Sequence, residues 1–175
     1  MDVKSIIRTI PDYPKPGIMF RDVTTLMGHP QAFAHVIKLF VEAYKASSID
    51  KVAGIEARGF VFGAALAQTL GTGFVPIRKK GKLPGDTYSR TYELEYGQDT
   101  LEIHKDAVTT GERVLLIDDL LATGGTALAA MALLEEAGAA PAGAAFVVDL
   151  PELGGKKRLT DAGADVLTLI EFEGH

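Results

Sequence analysis

Apolar positions along the chain fall into two alternating rhythms. Residues 51–55, 73–77, 114–117, 144–148 and 166–170 are short, nearly continuous apolar runs with the length of strands covered on both faces. Between them, residues 31–46 place Phe33, Val36, Ile37, Phe40, Val41 and Tyr44 at helical spacing, and 60–70, 127–136 and 153–162 predict further helices. Near the N-terminus Val3, Ile6, Ile7 and Ile10 share one face of a short helix predicted over 2–10, after which Pro11, Pro14 and Pro16 predict an extended segment. Residues 87–96 read as an extended arm, with 100–103 as its hairpin partner across Gly97, Gln98 and Asp99. Strands alternating with helices predict an α/β fold: a single Rossmann-like domain, its mainly parallel sheet flanked by helices on both faces, with a protruding, flexible β-hairpin as a lid.

One strand runs directly into chemistry. In VLLIDDLLATGGT (114–126) four apolar residues precede Asp118 and Asp119, which end the predicted strand, and Ala122, Thr123, Gly124, Gly125 and Thr126 lead into a helix. Small side chains, permissive backbone and two hydroxyls at a helix start aim amide N–H groups and the positive dipole end at an anion, for which a phosphate monoester is the fit. The two carboxylates cannot bind that phosphate. Beside it they suit a sugar diol, whose hydroxyls donate to them, or a hydrated Mg2+ near the same sugar. A capped surface turn explains DD or TGGT taken singly, but the whole ordered string implies a sugar 5-phosphate. It is neither a Walker A loop, lacking G-K-[ST], nor a dinucleotide fingerprint, lacking G-x-G-x-x-G.

Open parallel sheets bind ligands at the carboxyl ends of their strands, which brings two more loops to the same rim. Glu56, Ala57 and Arg58 follow the 51–55 strand, with Arg58 a candidate pyrophosphate contact. RKKGKLPG (78–85) follows the 73–77 strand and gathers four cations that could offset a multiply anionic substrate. At 16–22, PGIMFRD, a proline-braced loop could present Phe20 to a flat ligand. Along the arm Glu93 and Glu95 alternate with Tyr92, Leu94 and Tyr96, so the glutamates share a face and one could point into a closed site.

Composition removes whole classes of function. A net charge of −5 over 175 residues gives no general attraction for nucleic acid or anionic membrane. There is no cysteine, and His29, His35, His104 and His175 share no ligand spacing, so neither a disulfide framework nor a zinc site is expected. Only two consecutive apolar residues lie between Lys4 and Arg8, and no run approaches the roughly 18 of a membrane span. The expectation is one compact cytoplasmic domain with a substantial core.

The 114–126 string resembles the phosphoribosyl-pyrophosphate (PRPP) motif of type I phosphoribosyltransferases. With PGIMFRD, IEARGF (55–60), IRKKGKLPG (77–85) and YELEYG (92–97) placed in order, nearly the whole chain resembles the adenine phosphoribosyltransferase family. That resemblance implies the type I phosphoribosyltransferase fold and a purine salvage enzyme that transfers the 5-phosphoribosyl group of PRPP to N9 of adenine. AMP and pyrophosphate would be the products, Mg2+ would be bound chiefly through PRPP, and the chain would form a homodimer with no nucleic acid or membrane partner. By position it assigns Asp118 and Asp119 to the ribose hydroxyls and Ala122, Thr123, Gly124, Gly125 and Thr126 to the 5-phosphate. Pyrophosphate would fall to Glu56, Ala57, Arg58, Arg78 and Lys82, the last from either its own or the neighbouring subunit. Glu56 and Ala57 lie in the same loop, where the family often keeps a non-proline cis peptide. Phe20 would stack on adenine while the backbone about Ile18 and Arg21 reads its edge. Tyr88, Glu95 and Tyr96 would belong to the lid, and Glu95, Arg58, Asp118 and Asp119 would be catalytic. Residues 1–30 then form a base-recognition segment and 78–104 the basic loop and lid hairpin. Two other readings compete: the same chemistry on xanthine or guanine, and a non-catalytic PRPP-sensing domain of a transcription regulator, for which the chain offers no basic helix-turn-helix candidate.

Overall fold

The first apolar cluster does not form the helix predicted over 2–10. In the computed structural model, which describes residues 1–94 and 96–174, a single 3-10 turn at Lys4–Ile6 leads into strand β1 (Arg8–Pro11), paired antiparallel with β2 (Met19–Asp22). Val3 and Ile7 are buried nonetheless, because a turn followed by a strand also delivers both to the core. The proline segment folds back instead of running extended. Gly17 N–H donates to the Asp12 carboxylate at 2.8 Å and Tyr13 N–H to the Ile18 carbonyl at 3.2 Å, which closes the β1–β2 hairpin. A short helix α1 (Thr24–Met27), absent from the sequence expectation, precedes α2 (Pro30–Tyr44). The latter starts where Pro30 fills the first helical position and His29 Nδ1 accepts from Ala32 N–H at 3.1 Å.

The remaining strands build one seven-stranded sheet. Strand β3 (Lys51–Ile55) leads into α3 (Arg58–Leu70), followed by β4 (Gly73–Lys79), β5 (Thr87–Glu93), β6 (Gln98–His104) and β7 (Arg113–Leu121). Helix α4 (Gly125–Glu136), β8 (Ala140–Asp149), α5 (Gly155–Asp161) and β9 (Val166–Glu171) complete it. The order is β5-β6-β4-β3-β7-β8-β9, parallel from β4 through β9, with the antiparallel β5–β6 hairpin on the β4 edge. The helix predicted over 153–162 is broken: Pro151–Leu153 makes a 3-10 turn, Gly154 takes φ 77°, and α5 starts only after it.

Alternation along the central strands separates two cores. Leu115 and Ile117 of β7 face α2 and α3, packing with Phe40, Phe62 and Leu66. Leu116 faces the other way, towards Phe146, Leu133 of α4 and Leu159 of α5. Helices therefore cover both faces, as the alternating pattern predicts. Helix α4 buries or half-buries every position from Gly125 to Leu134, because it packs on β5, β6, β7 and β8 of the sheet and against α5. Among the described residues no helix is long and apolar enough to cross a membrane.

Candidate active site

Strand β7 does not stop before its acid pair. Pairing with β8 continues through Asp118, Leu120 and Leu121, so the carboxylates are held by the sheet itself rather than by a loop after it. Asp119, 5% exposed, accepts a hydrogen bond from Arg58 Nε at 2.6 Å. Asp118 accepts from the N–H of Asp119 at 2.9 Å and lies against α3, where a Cβ on Gly59 would come within 2.7 Å of its Oδ1. Burial, and then the charge of Asp119, push the Asp118 carboxyl well above its ordinary 3.8.

Beyond Leu121 the chain turns through the small residues. Gly124, at φ 90°, is the residue before α4, a conformation that a side chain would strain. The turn is backed by the start of α5: Gly155 N–H donates to the Ala122 carbonyl at 3.0 Å, and a Cβ on Gly155 would collide with that oxygen. Thr126 Oγ1 donates to the Tyr92 hydroxyl of β5 at 3.4 Å. The result is a cradle whose free amides open beside two carboxylates.

Opposite the acid pair the cations are gathered on one glutamate. Glu56, with its side chain 8% exposed, accepts from Arg78 Nε at 3.2 Å, Lys79 N–H at 2.8 Å and Lys82 Nζ at 2.8 Å. Desolvation raises its pKa, but the bonds from Lys82 and Lys79 outweigh that and hold it below its ordinary 4.5. The Glu56–Ala57 peptide is cis, as the family resemblance implied. The Glu56 carboxylate thus holds Arg78 and Lys82 in place, and Lys82 reaches it from within the same chain. Arg58 is likewise engaged; against desolvation, the charges of Asp119, Asp118 and Asp22 raise its pKa above the usual arginine value.

These groups enclose a cleft of about 360 Å³ lined by Glu56, Arg58, Asp118, Asp119 and the whole of 122–126. Arg78 and Lys82 stand behind its wall, at Glu56; the basic-loop cation that lines it is Lys79, paired with Asp99 at 2.8 Å. The run of four cations signalled a basic loop but not which member faces inward. Tyr92 and Leu94 form the hairpin wall, while Glu93 turns away and accepts from Gln98 Nε2 at 2.7 Å. The alternation was legible in sequence; over 92–94 it turns Tyr92 and Leu94, not Glu93, to the cleft. Glu95 lies outside the described residues. Sequence reasoning also missed Glu102, 8% exposed, which accepts from Gly81 N–H at 2.8 Å, Thr87 at 3.0 Å and Ser89 at 2.7 Å and so ties the basic loop to the hairpin.

The residues expected to recognise a base sit apart from this lining. Ile18 is half-buried just before β2, and the Phe20 ring meets Tyr13 edge-on at 5.1 Å. The Arg21 guanidinium lies over Phe172 at 4.4 Å and donates to Thr9 at 2.6 Å and to the Glu173 carbonyl at 3.1 Å, which leaves its backbone rather than its side chain for a ligand. Tyr88 lies at the hairpin base under Lys105, packed on the core, and Tyr96, 77% exposed, meets Lys15 Nζ at 4.7 Å. The hairpin tip thus touches the N-terminal segment. Among the described residues no three His, Cys, Asp or Glu side chains converge as a metal cage. Two adjacent carboxylates fit instead an ion that keeps most of its ligands on water and substrate.

The sequence pattern of the Phosphoribosyl transferase domain matches residues 22–172. An adenine phosphoribosyltransferase of Sinorhizobium medicae is 58% identical over 174 residues, covering 99% of this chain and 97% of that one. The crystal structure of adenine phosphoribosyltransferase from Thermoanaerobacter pseudethanolicus superposes with a TM-score of 0.93 at 50% identity, covering 98% of each chain. That of Trypanosoma brucei, in complex with AMP, pyrophosphate and ribose-5-phosphate, does so at 0.89 and 26% identity, over 97% of this chain and 77% of the other.

Proposed function

The chain belongs to the phosphoribosyl transferase domain family, among the enzymes named adenine phosphoribosyltransferase, and on that footing we propose that it transfers the 5-phosphoribosyl group of PRPP to N9 of adenine, releasing pyrophosphate and forming AMP. The observation that carries this reading is the juxtaposition at the end of β7: two carboxylates, an anion cradle, and cations gathered across the cleft. The Trypanosoma brucei complex, with its AMP, pyrophosphate and ribose-5-phosphate, supports the same set of ligands.

In this reading the 5-phosphate enters the cradle at 122–126 and the ribose hydroxyls donate to Asp118 and Asp119. Taking the place of Arg58 at Asp119, they free its guanidinium for the pyrophosphate. Lys79 joins from the wall, with Arg78 and Lys82 held ready by Glu56. As the C1–O bond to pyrophosphate breaks, positive charge grows at C1 and negative charge on the leaving group, and these cations act on the latter. Adenine N9, held by Phe20 and by the backbone near Ile18 and Arg21, attacks C1. Tyr92 and Leu94 keep water from that centre, with Tyr88, Glu95 and Tyr96 belonging to the same lid. Glu95 is the proposed proton partner of adenine. Mg2+ carried on PRPP, with Asp118 and Asp119 as the nearest suitable oxygen donors, would supply further neutralisation of the pyrophosphate charge. We include in the proposal residues 1–30 as the base-recognition segment, a homodimer, and a cytosolic setting.

Incubating the full chain with PRPP, Mg2+ and each of adenine, guanine, hypoxanthine and xanthine tests the reading. AMP from adenine is the expected outcome. Turnover of guanine or xanthine but not adenine would replace the base, and tight PRPP binding without turnover of any purine would favour the sensor.

A further inference from the structure

The cradle has two side-chain walls that lie outside its own sequence motif. From α5, Arg158 Nη1 donates to the Thr123 carbonyl at 3.4 Å and stands 3.6 Å from where a Cβ on Gly125 would sit. From β5, Tyr92 Cδ2 stands 3.7 Å from that same point, and its hydroxyl is 3.4 Å from Thr126 Oγ1. One position above Gly125 is therefore flanked by a guanidinium on one side and a phenol on the other. A Cβ at 125 would sit in ordinary van der Waals contact with both.

The charge balance gives this arrangement a use. Residues 122–126 supply amide and hydroxyl donors but no cation, while the Asp119 carboxylate lies close by and would repel a phosphate dianion. Arg158 is exposed, and its carbonyl partner is at the long limit of a hydrogen bond. Phosphate oxygens, accepting paired charged bonds from the planar guanidinium, are much the better partner. The Tyr92 hydroxyl accepts from Thr126 and so keeps its own proton to give.

We propose that Arg158 and Tyr92 are binding residues for the 5-phosphate, clamping it in the cradle from α5 and from the hairpin. This rests on the sugar 5-phosphate reading above, and the test separates the two. AMP and adenosine differ by the phosphate alone, so titrating both into the full-length wild type, Arg158→Gln, Arg158→Lys and Tyr92→Phe isolates the clamp. Arg158→Gln should weaken AMP by about tenfold or more while leaving adenosine within about twofold, with Arg158→Lys recovering part of the loss. Tyr92→Phe should weaken AMP by about threefold, again selectively. Unchanged AMP affinity in Arg158→Gln, or equal losses for AMP and adenosine, overturns the clamp while the wild-type preference for AMP leaves the sugar 5-phosphate reading standing. A wild type that does not prefer AMP to adenosine overturns both.

Discussion

Asp118 and Asp119 are neighbours in the same strand with opposite circumstances. Asp119 has a guanidinium partner; Asp118 has a backbone N–H, the close approach of α3 and a negative neighbour. A carboxyl whose folded pKa is raised keeps its proton in the folded protein after the unfolded chain has released it. Its stability contribution is therefore complete below 3.8 and lost as pH rises through the raised value. Asp118→Asn removes that loss, so its gain in melting temperature over wild type should grow as pH rises from 3.8 through the raised value. A pH-independent gain would contradict a proton held by burial. At the other end of the site, Phe20→Ala should weaken adenine by about 1–3 kcal/mol, the range for lost base stacking, and spare PRPP. Calorimetry with each ligand checks this, and equal losses would mean that the variant misfolds instead.

Among the elements, the short α5 does more than its length implies. Its first residue, Gly155, is the floor against which the Ala122 carbonyl is set, so the turn at 122–126 and α5 are fixed together. Gly155→Ala should cost about 1–3 kcal/mol in urea denaturation, as overpacking does, and should also reduce AMP affinity because the displaced oxygen belongs to the cradle. A stability loss with unchanged AMP affinity would show that the turn keeps its shape without this support. The hairpin matters in a similar way. Glu102 fastens its base to the basic loop, Tyr92 touches the cradle, and Tyr96 reaches Lys15. The β1–β2 pair was not predicted, because Val3, Ile6, Ile7 and Ile10 at helical spacing fit a helical face as well as they fit a turn and a strand, and the four residues of α1 are too few to show a period.

Across the whole molecule, one sheet serves two cores, since β7 gives Leu115 and Ile117 to one and Leu116 to the other. Phe62 and Phe146 lie fully buried on opposite faces. Each Phe→Ala should cost about 3–5 kcal/mol, and both variants should still unfold in a single transition, because loosening either face disturbs the strands that carry the other. Two separate transitions by fluorescence and circular dichroism would show that the faces are independent.

The sequence by itself determined the alternation of strands and helices, the α/β class, and the ordered string from Val114 to Thr126. Those properties are local: apolar periodicity, small residues at a helix start, and two carboxylates beside them are visible in consecutive residues. It also brought Arg58 and the basic loop to the correct rim, because parallel strands put their following loops at one end. Which charges meet across that rim was decided only by the tertiary structure. Arg58 on Asp119, Arg78 and Lys82 on Glu56, Lys79 on Asp99, and Arg158 against the cradle are pairings between distant parts of the chain. Each is fixed by strand order and by how closely α3 and α5 approach β7 and the turn after it, and no local pattern records those distances.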